Sequence, residues 1–458
     1  MQSFTIFAEQ ALTQAGWQSD VLVSVDTDGR IASVEAQREP SGHTNKAAVL
    51  LPSPANLHSH AFQRAMAGLT ERRGPDPRDT FWTWRELMYR FLEKLTPEHV
   101  EAIAAFVQME MLEAGYAAVG EFHYLHNQPG GEAYANPAEL SLRIIEAAKQ
   151  TGIGLTLLPV LYQQGGCDGR ALQGGQMRFA NSINSYTALH ETASNVLAEL
   201  PPDAVMGVAP HSLRAVSRED LAEVITFAPS APVHMHIAEQ TAEVEEVEAA
   251  WGRRPVEWLF DNHEVDERWC LIHCTQMQPD ETTMLARSHA VAGLCPITES
   301  SLGDGIFEGA NYLTQAGRFG VGSDSNIRIS LAEELRTLEY SQRLRDRSRA
   351  VLATPDKSTG RILFESAAQG GAQAAGRNVG AIEPGKLADL VALDAHATNL
   401  LGKSGDAILD SFIFAGDDRL VTDVWSAGRH IVHEGRHFAH EAIEHRYRQV
   451  ITALGEQL

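Results

Sequence analysis

The sequence predicts an α/β protein in which a (β/α)8 TIM-type barrel is joined to a small β domain formed from both termini. Eight apolar, β-rich runs recur between residues 49 and 323. Stretches with helical periodicity separate these runs, for example residues 98–115 and 241–252. Alternation of strands and helices through eight units is typical of a closed parallel barrel.

The predicted barrel strands are short and rich in Val, Ile, Leu and Ala. They lie near residues 49–57, 117–122, 155–161, 204–209, 232–237, 269–274, 290–295 and 319–323. Active sites of such barrels lie at the C-terminal ends of the strands. The residues that follow these eight runs are therefore the first candidates for function.

Both ends of the chain are also rich in predicted strands. Residues 20–35 hold two Val- and Ile-rich runs around Asp28-Gly29, a dipeptide that favours a tight hairpin turn. Residues 387–394 and 421–435 have a similar composition. We therefore expect a sandwich-like β domain formed by residues 1–48 and 383–458, with the barrel spanning residues 49–382.

Composition and charge narrow the classes of partner. The 458 residues include 37 Lys and Arg against 60 Asp and Glu, which gives a net charge of -23. Such an acidic chain is a poor candidate for binding nucleic acid through a general basic surface. It has no apolar run long enough to span a membrane, no secretory signal and no C-x-x-C pair. These features predict a cytoplasmic protein that acts on a small molecule.

Two histidines, His58 and His60, follow the first predicted strand in the stretch NLHSH. Side chains at positions i and i+2 of a strand point to the same face, so both imidazoles project together. Neutral imidazole is among the commonest metal ligands. H-x-H alone is weak evidence, because two polar residues in a loop would look the same. A metal site needs further ligands.

Further polar residues lie at the ends of four of the other predicted strands. The fourth run ends in His211, the fifth in His236 and Glu239, the sixth in His273 and the eighth in Asp324. Each alone is more often a buried histidine or a turn aspartate. Their coincidence at strand ends, in this order, favours a metal-dependent catalytic site.

This pattern resembles the amidohydrolase superfamily, specifically its deaminase branch. The resemblance covers nearly the whole chain and includes the segment EPGKLADLV at residues 383–391. The stretches NLHSHAFQRAMAGLTE, FWTWRELMY, VGEFHYLHN and APHSLRAV are most similar to the superfamily members that deiminate N-formimino-L-glutamate in histidine degradation. The resemblance therefore implies hydrolysis of an amidine to an N-formyl product and ammonia.

The resemblance implies a ligand set of His58, His60, His236 and Asp324 that binds one Zn²⁺ or another divalent metal. His234 shares a strand face with His236 but lies farther from the strand end. Relatives with two metals bridge them with a carboxylated lysine, usually at the end of strand four. This chain has GVAPHS there and PVLYQQ after strand three, so we expect a mononuclear site.

The resemblance also implies two catalytic groups. Glu239 would take a proton from the attacking water and deliver it to the leaving nitrogen. His273 would stabilise charge in the tetrahedral intermediate. The ordinary alternatives are a residue beside a helix start for Glu239 and a buried strand histidine for His273.

The implied substrate is a small dicarboxylate amidine, which an acidic chain must hold with local positive groups. Arg85 and Arg214 are the candidates for the carboxylates, because arginine presents a fork of donors. Gln63, Tyr124 and His211 are candidates for hydrogen bonds to the substrate. The superfamily also suggests a homodimer.

Two alternatives remain open at this stage. A deaminase of a purine, a pterin or an adenosylhomocysteine-like nucleoside would need an aromatic pocket, for which Phe81, Trp82 and Trp84 are available. A degenerate barrel without catalysis is the other alternative, and the intact ligand pattern argues against it.

Overall fold

The computed structural model describes residues 2–40, 44–71 and 81–456, without the side chains of residues 81–83 and 86. Seventeen strands lie in this described part of the chain. They are β1 (Phe4–Thr13), β2 (Gly16–Val25), β3 (Ile31–Glu35), β4 (Asn45–Pro52), β5 (Ala55–Ser59), β6 (Ala118–His123), β7 (Gly154–Leu161), β8 (Val205–Met206), β9 (Ala209–Pro210), β10 (Val233–Ile237), β11 (Trp269–His273), β12 (Val291–Leu294), β13 (Arg318–Val321), β14 (Leu390–Leu393), β15 (Val421–Ser426), β16 (Arg429–His433) and β17 (Arg436–His437).

The described residues also form fourteen α-helices, most of which follow barrel strands. They are α1 (Phe81–Leu92), α2 (Pro97–Glu113), α3 (Glu139–Thr151), α4 (Ile183–Leu197), α5 (Arg218–Phe227), α6 (Thr241–Trp251), α7 (Pro255–Asn262), α8 (Pro279–Arg287), α9 (Pro296–Leu302), α10 (Gly309–Thr314), α11 (Leu331–Asp346), α12 (Thr359–Ala374), α13 (Asp406–Phe414) and α14 (His440–Gly455). None of the helices in the described ranges is long and apolar enough to cross a membrane.

The eight predicted barrel strands are present, and they pair in parallel. Strands β5 to β9 form one parallel arc, in which β8 and β9 are two halves of strand four, and β10 to β13 form a second arc. Single parallel bridges, Val208 with Val233 and Ser59 with Asp324, join the arcs. Most of these strands are buried on both faces, which explains their continuous apolar runs.

Closure between the last and first barrel strands depends on glycine. Asp324 N–H donates to the carbonyl of His58, and His60 N–H donates to the carbonyl of Asp324, each at 2.9 Å. A Cβ at Gly322 would lie 2.7 Å from both the backbone nitrogen and the oxygen of His58. A larger residue would therefore force apart the two strand ends that carry the predicted metal ligands.

The terminal strands form one continuous eight-stranded sheet, in the order β17-β16-β15-β14-β4-β1-β2-β3. The predicted hairpin corresponds to β2 and β3, which pair antiparallel. Two details differ from the sequence-based boundaries. The run at 49–57 is broken near Ser53-Pro54, so residues up to Pro52 belong to this sheet as β4, and only β5 enters the barrel. The eight strands also pair as one sheet rather than as two separate ones.

The C-terminal helix α14 packs on the barrel rather than on the terminal sheet. The rings of Tyr447 on α14 and Phe106 on α2 stack with centroids 3.8 Å apart, and Arg446 pairs with Glu101 at 2.7 Å. The division into a terminal domain of residues 1–48 and 383–458 and a barrel of residues 49–382 stays a prediction. Strand periodicity alone does not indicate which surface a terminal amphipathic helix covers.

A buried ion network connects the terminal sheet to the bottom of the barrel. The fully buried Arg377 donates to Asp389 at 2.9 Å and to Asp203 at 3.0 Å. Arg429 on β16 donates to both carboxylate oxygens of Asp203, each at 2.8 Å. Each buried charge therefore has an opposite partner, as burial requires.

Candidate metal centre and active-site pocket

The four predicted metal ligands meet at the C-terminal ends of strands one, five and eight. The Nε2 atom of His58 lies 3.2 Å from that of His60 and 3.1 Å from that of His236. The Oδ1 atom of Asp324 lies 3.2 Å from His60 Nε2 and 3.7 Å from His58 Nε2. All four side chains are buried. His234 lies apart from this cluster, because its Nε2 is bonded to the carbonyl of Ala374 at 2.8 Å.

Hydrogen bonds orient two of the three imidazoles toward a common point. His60 Nδ1–H donates to the Phe122 carbonyl at 2.9 Å, and His236 Nδ1–H donates to the His211 carbonyl at 3.1 Å. This tautomer leaves each Nε2 with a lone pair. Metal-binding histidines usually donate their other ring N–H to a partner of this kind. Zn–N bonds of about 2.0–2.1 Å in a tetrahedron separate ligand nitrogens by roughly 3.3 Å. The observed spacing fits such an ion.

The electrostatics of the cluster also suit a cation. Burial lowers the pKa of His60 to about 3, so that imidazole is neutral and free to act as a ligand. Burial raises the pKa of Asp324 to about 7 when only the protein groups act on it. Three neutral imidazoles and one carboxylate form a donor set that suits Zn²⁺. These residues therefore form a candidate metal site.

Glu239 and His273 lie beside this cluster. Glu239 Oε1 is 3.6 Å from His273 Nε2, which is itself 3.8 Å from Asp324 Oδ2. On its other side, His273 Nδ1–H donates to Glu299 Oε1 at 3.3 Å. Burial alone would lower the pKa of His273, but the negative charges of Glu239, Glu299 and Asp324 raise it well above its usual value. The acidic groups around His273 thus favour its protonated form.

Unusual backbone conformations turn these side chains inward. Ala238, His273, Cys274 and Asp324 have φ values of 51°, 75°, 54° and 47°, in the left-handed region that most residues avoid. Such conformations persist where surrounding contacts hold them, and they often mark functional sites. The buried carboxylate of Glu243 accepts the backbone N–H groups of Ala238 at 3.3 Å and Glu239 at 3.0 Å.

The predicted substrate-binding residues line one cavity above the metal cluster. They are Gln63, Arg85, Tyr124, His211 and Arg214. Gln63 Nε2 donates to the Tyr124 hydroxyl at 2.7 Å, and Arg85 Nη2 donates to the Tyr162 hydroxyl at 2.7 Å. His211 Nδ1 and Ser212 Oγ share a hydrogen bond of 3.0 Å. The structure thus brings both arginines to the cavity whose floor holds the candidate ligands.

Sequence reasoning missed several residues of the same cavity. Met88, Tyr162, Phe179, Thr298, Leu302 and Ser325 line it, together with Trp84 from the alternative aromatic set. Tyr162 follows strand three, and Thr298 and Leu302 follow strand seven, so strand ends were a usable signal. The side chains of Phe81 and Trp82 lie outside the described residues.

Four buried carboxylates near the site were also missed. Glu121 accepts the Ala61 N–H at 2.7 Å, behind the H-x-H segment, and Glu299 accepts both His273 Nδ1–H and the Cys295 N–H. Glu243 and Asp304 lie around Glu239. Two of the four lie inside helices and none is the last polar residue of a strand, so the strand-end signal did not single them out.

Comparison with known proteins agrees with this architecture. Residues 49–431 match the model of the amidohydrolase family, and residues 3–46 match that of the formimidoylglutamate deiminase HutF N-terminal domain. The formimidoylglutamate deiminase of Pseudomonas aeruginosa is 48% identical over 451 residues, which cover 98% of this chain and 99% of that protein. A 5-methylthioadenosine/S-adenosylhomocysteine deaminase of Natronomonas pharaonis is 25% identical over 83% of this chain and 81% of its own length.

Solved structures give the same relationship. The crystal structure of an amidohydrolase from Brucella melitensis superposes with a TM-score of 0.95 and 46% identity, covering 98% of this chain and 99% of that one. An adenosine deaminase from Xanthomonas campestris with bound zinc superposes with a TM-score of 0.82 at 22% identity, which reflects the shared fold. It covers 99% of this chain and 98% of that one. The chain therefore belongs to the amidohydrolase family, in the same group as the Pseudomonas aeruginosa formimidoylglutamate deiminase.

Proposed function

We propose that this chain hydrolyses N-formimino-L-glutamate to N-formyl-L-glutamate and ammonia in histidine degradation, with one Zn²⁺ per chain. The observation that carries the substrate assignment is the presence of Arg85 and Arg214 in the cavity that ends on the metal-ligand cluster. The full-length similarity to a formimidoylglutamate deiminase supports the same substrate. In a dicarboxylate amidine, the two carboxylates match the two arginines and the amidine group matches the metal-ligand cluster.

His58, His60, His236 and Asp324 would hold the metal. A bound Zn²⁺ supplies Lewis-acid chemistry, since it lowers the pKa of a coordinated water toward neutrality. Two observations support a single ion. No lysine lines the described part of the cavity, and the ends of strands three and four carry Tyr162 and His211 rather than a bridging group.

Glu239 would act as the proton carrier. It lies outside the cluster of three imidazoles, and its backbone N–H donates a hydrogen bond to the Glu243 carboxylate. In the balanced reaction, the water oxygen adds to the formimino carbon and the bond from that carbon to the terminal nitrogen breaks. Both water protons leave with that nitrogen as ammonia. A carboxylate within reach of water and leaving nitrogen suits this double transfer.

His273 would stabilise the developing negative charge on oxygen. The surrounding carboxylates keep it protonated, and Glu299 fixes its ring through Nδ1. Its Nε2–H then faces the space between Glu239 and Asp324. A donor that already points toward the developing oxyanion stabilises the transition state more, because it needs little reorganisation during the reaction.

The two arginines would bind the two substrate carboxylates. Arg85 is oriented by the Tyr162 hydroxyl and by the Tyr89 ring, 5.2 Å below its guanidinium. Arg214 is buried, and its positive charge interacts with the negative charge of Glu243. Charge-assisted hydrogen bonds from such donors recognise carboxylates with defined geometry. Gln63, Tyr124 and His211 would complete the polar contacts.

A ring-substrate deaminase is the second candidate, since Trp84, Tyr162 and Phe179 line the same cavity. Steady-state ammonia release separates the two functions. We expect turnover of N-formimino-L-glutamate and little turnover of adenosine, S-adenosylhomocysteine or guanine. Preferential release of ammonia from a ring compound would overturn the proposal.

We also propose a homodimer in the cytoplasm, on the superfamily resemblance and the chain's composition. Light scattering coupled to size-exclusion chromatography measures the mass in solution directly. A mass near twice the 50.0 kDa of one chain supports the dimer, and a mass near one chain excludes it.

A further inference from the structure

A second group of possible metal ligands lies beside the proposed metal centre. One ligand atom each from Glu239, His273 and Asp304 lie within 4.8 Å of one another, and all three side chains are buried. They come from the ends of β10 and β11 and from the loop after α9. None of them belongs to the group of four ligands assigned above.

One carboxylate oxygen of the buried Asp304 accepts no hydrogen bond from the described residues. Its side chain is only 3% exposed, and Gln240 donates a hydrogen bond to its Oδ1. Its Oδ2 has no hydrogen-bond partner among the described residues. Gln276 donates to its backbone carbonyl, so the loop is held in place. A buried polar atom without a partner is rare and calls for a ligand or another explanation.

The local charge favours a cation at this point. Glu239 and Asp304 place two carboxyl groups within 4.8 Å of each other in a buried space. A positive ion between them would relieve their mutual repulsion. The bond from His273 Nδ1–H to Glu299 directs Nε2 into the same space. A carboxylate behind a histidine is the usual support of a metal-binding imidazole.

We propose that Glu239, His273 and Asp304 form a second, inhibitory site for a divalent cation of the Zn²⁺ type. Two carboxylate oxygens and one imidazole nitrogen suit this borderline-soft ion. An ion bound there displaces the Nε2 proton of His273 and occupies both Glu239 and His273, so neither group is available to move protons or to stabilise charge. Hydrolysis then stops while the first metal stays in place. The proposal rests on the proposed function, because inhibition is measured as loss of ammonia release.

The test starts from enzyme that contains one zinc per chain. Free Zn²⁺ is raised in a metal-buffered solution, and both ammonia release and zinc content are measured at each step. We expect the native enzyme to take up a second zinc per chain and to lose activity in parallel. Asp304→Asn keeps the volume of the side chain but removes one anionic ligand. It should keep its basal activity and weaken inhibition by roughly 10- to 100-fold or more.

A matched control addresses zinc bound at the surface. His430 and His433 stack with ring centroids 5.2 Å apart, and His430 also pairs with Asp423 at 2.8 Å. This group lies on β15 and β16, away from the catalytic ends of the barrel strands. His433→Ala should leave the zinc inhibition of the native enzyme unchanged. Asp304→Ser provides a second test of the buried site if the asparagine variant folds poorly.

Three results would overturn the proposal. The native enzyme could bind no second zinc and stay fully active. Inhibition could occur at the same zinc concentration in the Asp304 variants, or those variants could lose their basal activity. If no protein releases ammonia from formiminoglutamate, the proposed function fails, but zinc content still decides the second site. Native protein that binds two zinc ions, and Asp304→Asn that binds one, would then support it.

Discussion

Replacement of Glu243 by glutamine should lower catalysis without removing the metal. The buried Glu243 carboxylate accepts two backbone N–H groups, from Ala238 and from the proposed proton carrier Glu239. Glutamine retains only one acceptor oxygen and presents an amide NH₂ to the other N–H. One hydrogen bond is therefore lost, and a buried N–H is left unpaired. We expect the turn that carries Glu239 to leave its catalytic position more often.

The structure sets the size of this effect. A buried donor without a partner costs about 1–3 kcal/mol. If that cost falls on the catalytic position of the turn, kcat/KM decreases by roughly 5- to 150-fold. The assay is steady-state ammonia release from N-formimino-L-glutamate, with zinc content measured on the same samples. Zinc content should stay at the native level, since the hydrogen bonds that Glu243 accepts come from backbone N–H groups and not from the proposed ligand side chains.

Glu281 provides the matched control for this prediction. It is equally buried and accepts the Gln278 N–H at 2.7 Å and Arg254 Nε–H at 2.9 Å, but neither donor belongs to the turn that carries Glu239. Glu281→Gln removes the charge that pairs with Arg254, so it should destabilise the protein against urea while leaving kcat/KM near native. If Glu243→Gln affects kcat/KM no more than this control does, Glu243 does not position Glu239 and the reasoning fails.

Further substitutions test the other assignments. Glu239→Gln should lower kcat by on the order of 10²–10⁴ with zinc retained, and loss of zinc would make Glu239 a ligand. Arg85→Met and Arg214→Met should each lower kcat/KM by roughly 10- to 150-fold. A substrate analogue whose side-chain carboxylate is replaced by a neutral amide tests this contact. If both variants discriminate against that analogue as strongly as the native enzyme does, neither arginine binds the side-chain carboxylate. Burial would raise the pKa of Asp203, but Arg429 lowers it below its usual value, so its stabilisation is lost on acidification below about pH 4. Urea unfolding across that pH range should depend less on pH in Asp203→Asn, and equal dependence would contradict the ion network.

The barrel was predictable because its signals are local. Each buried strand reads as an apolar run, and the chain alternates strand and helix with regular spacing. The H-x-H segment and Asp324 were recognisable because the C-terminal ends of parallel strands meet at one edge. The boundary near Ser53-Pro54 was not, since the apolar run continues through a point where the chain passes from one sheet to another. Pairing partners, rather than composition, decide that boundary.

The supporting carboxylates were not predictable for a related reason. Glu243 and Glu299 lie inside helices, where acidic residues in the first turn are common without any further role. Their importance follows only from the strand-end backbone groups that they contact in the folded chain. The same holds for Asp304, whose partners come from residues 28 to 65 positions earlier. Sequence spacing carries no record of such contacts.

Zinc reconstitution measures how many metal ions each chain needs for hydrolysis of N-formimino-L-glutamate. Metal-free protein is titrated with Zn²⁺, and ammonia and N-formyl-L-glutamate released from N-formimino-L-glutamate are measured at each addition. We expect both products to form in equal amounts and activity to rise linearly to its maximum at one zinc per chain. We also expect His60→Ala and Asp324→Ala to bind zinc poorly and to stay inactive. Full activity without metal, or a maximum reached only at two zinc ions per chain, would contradict this expectation.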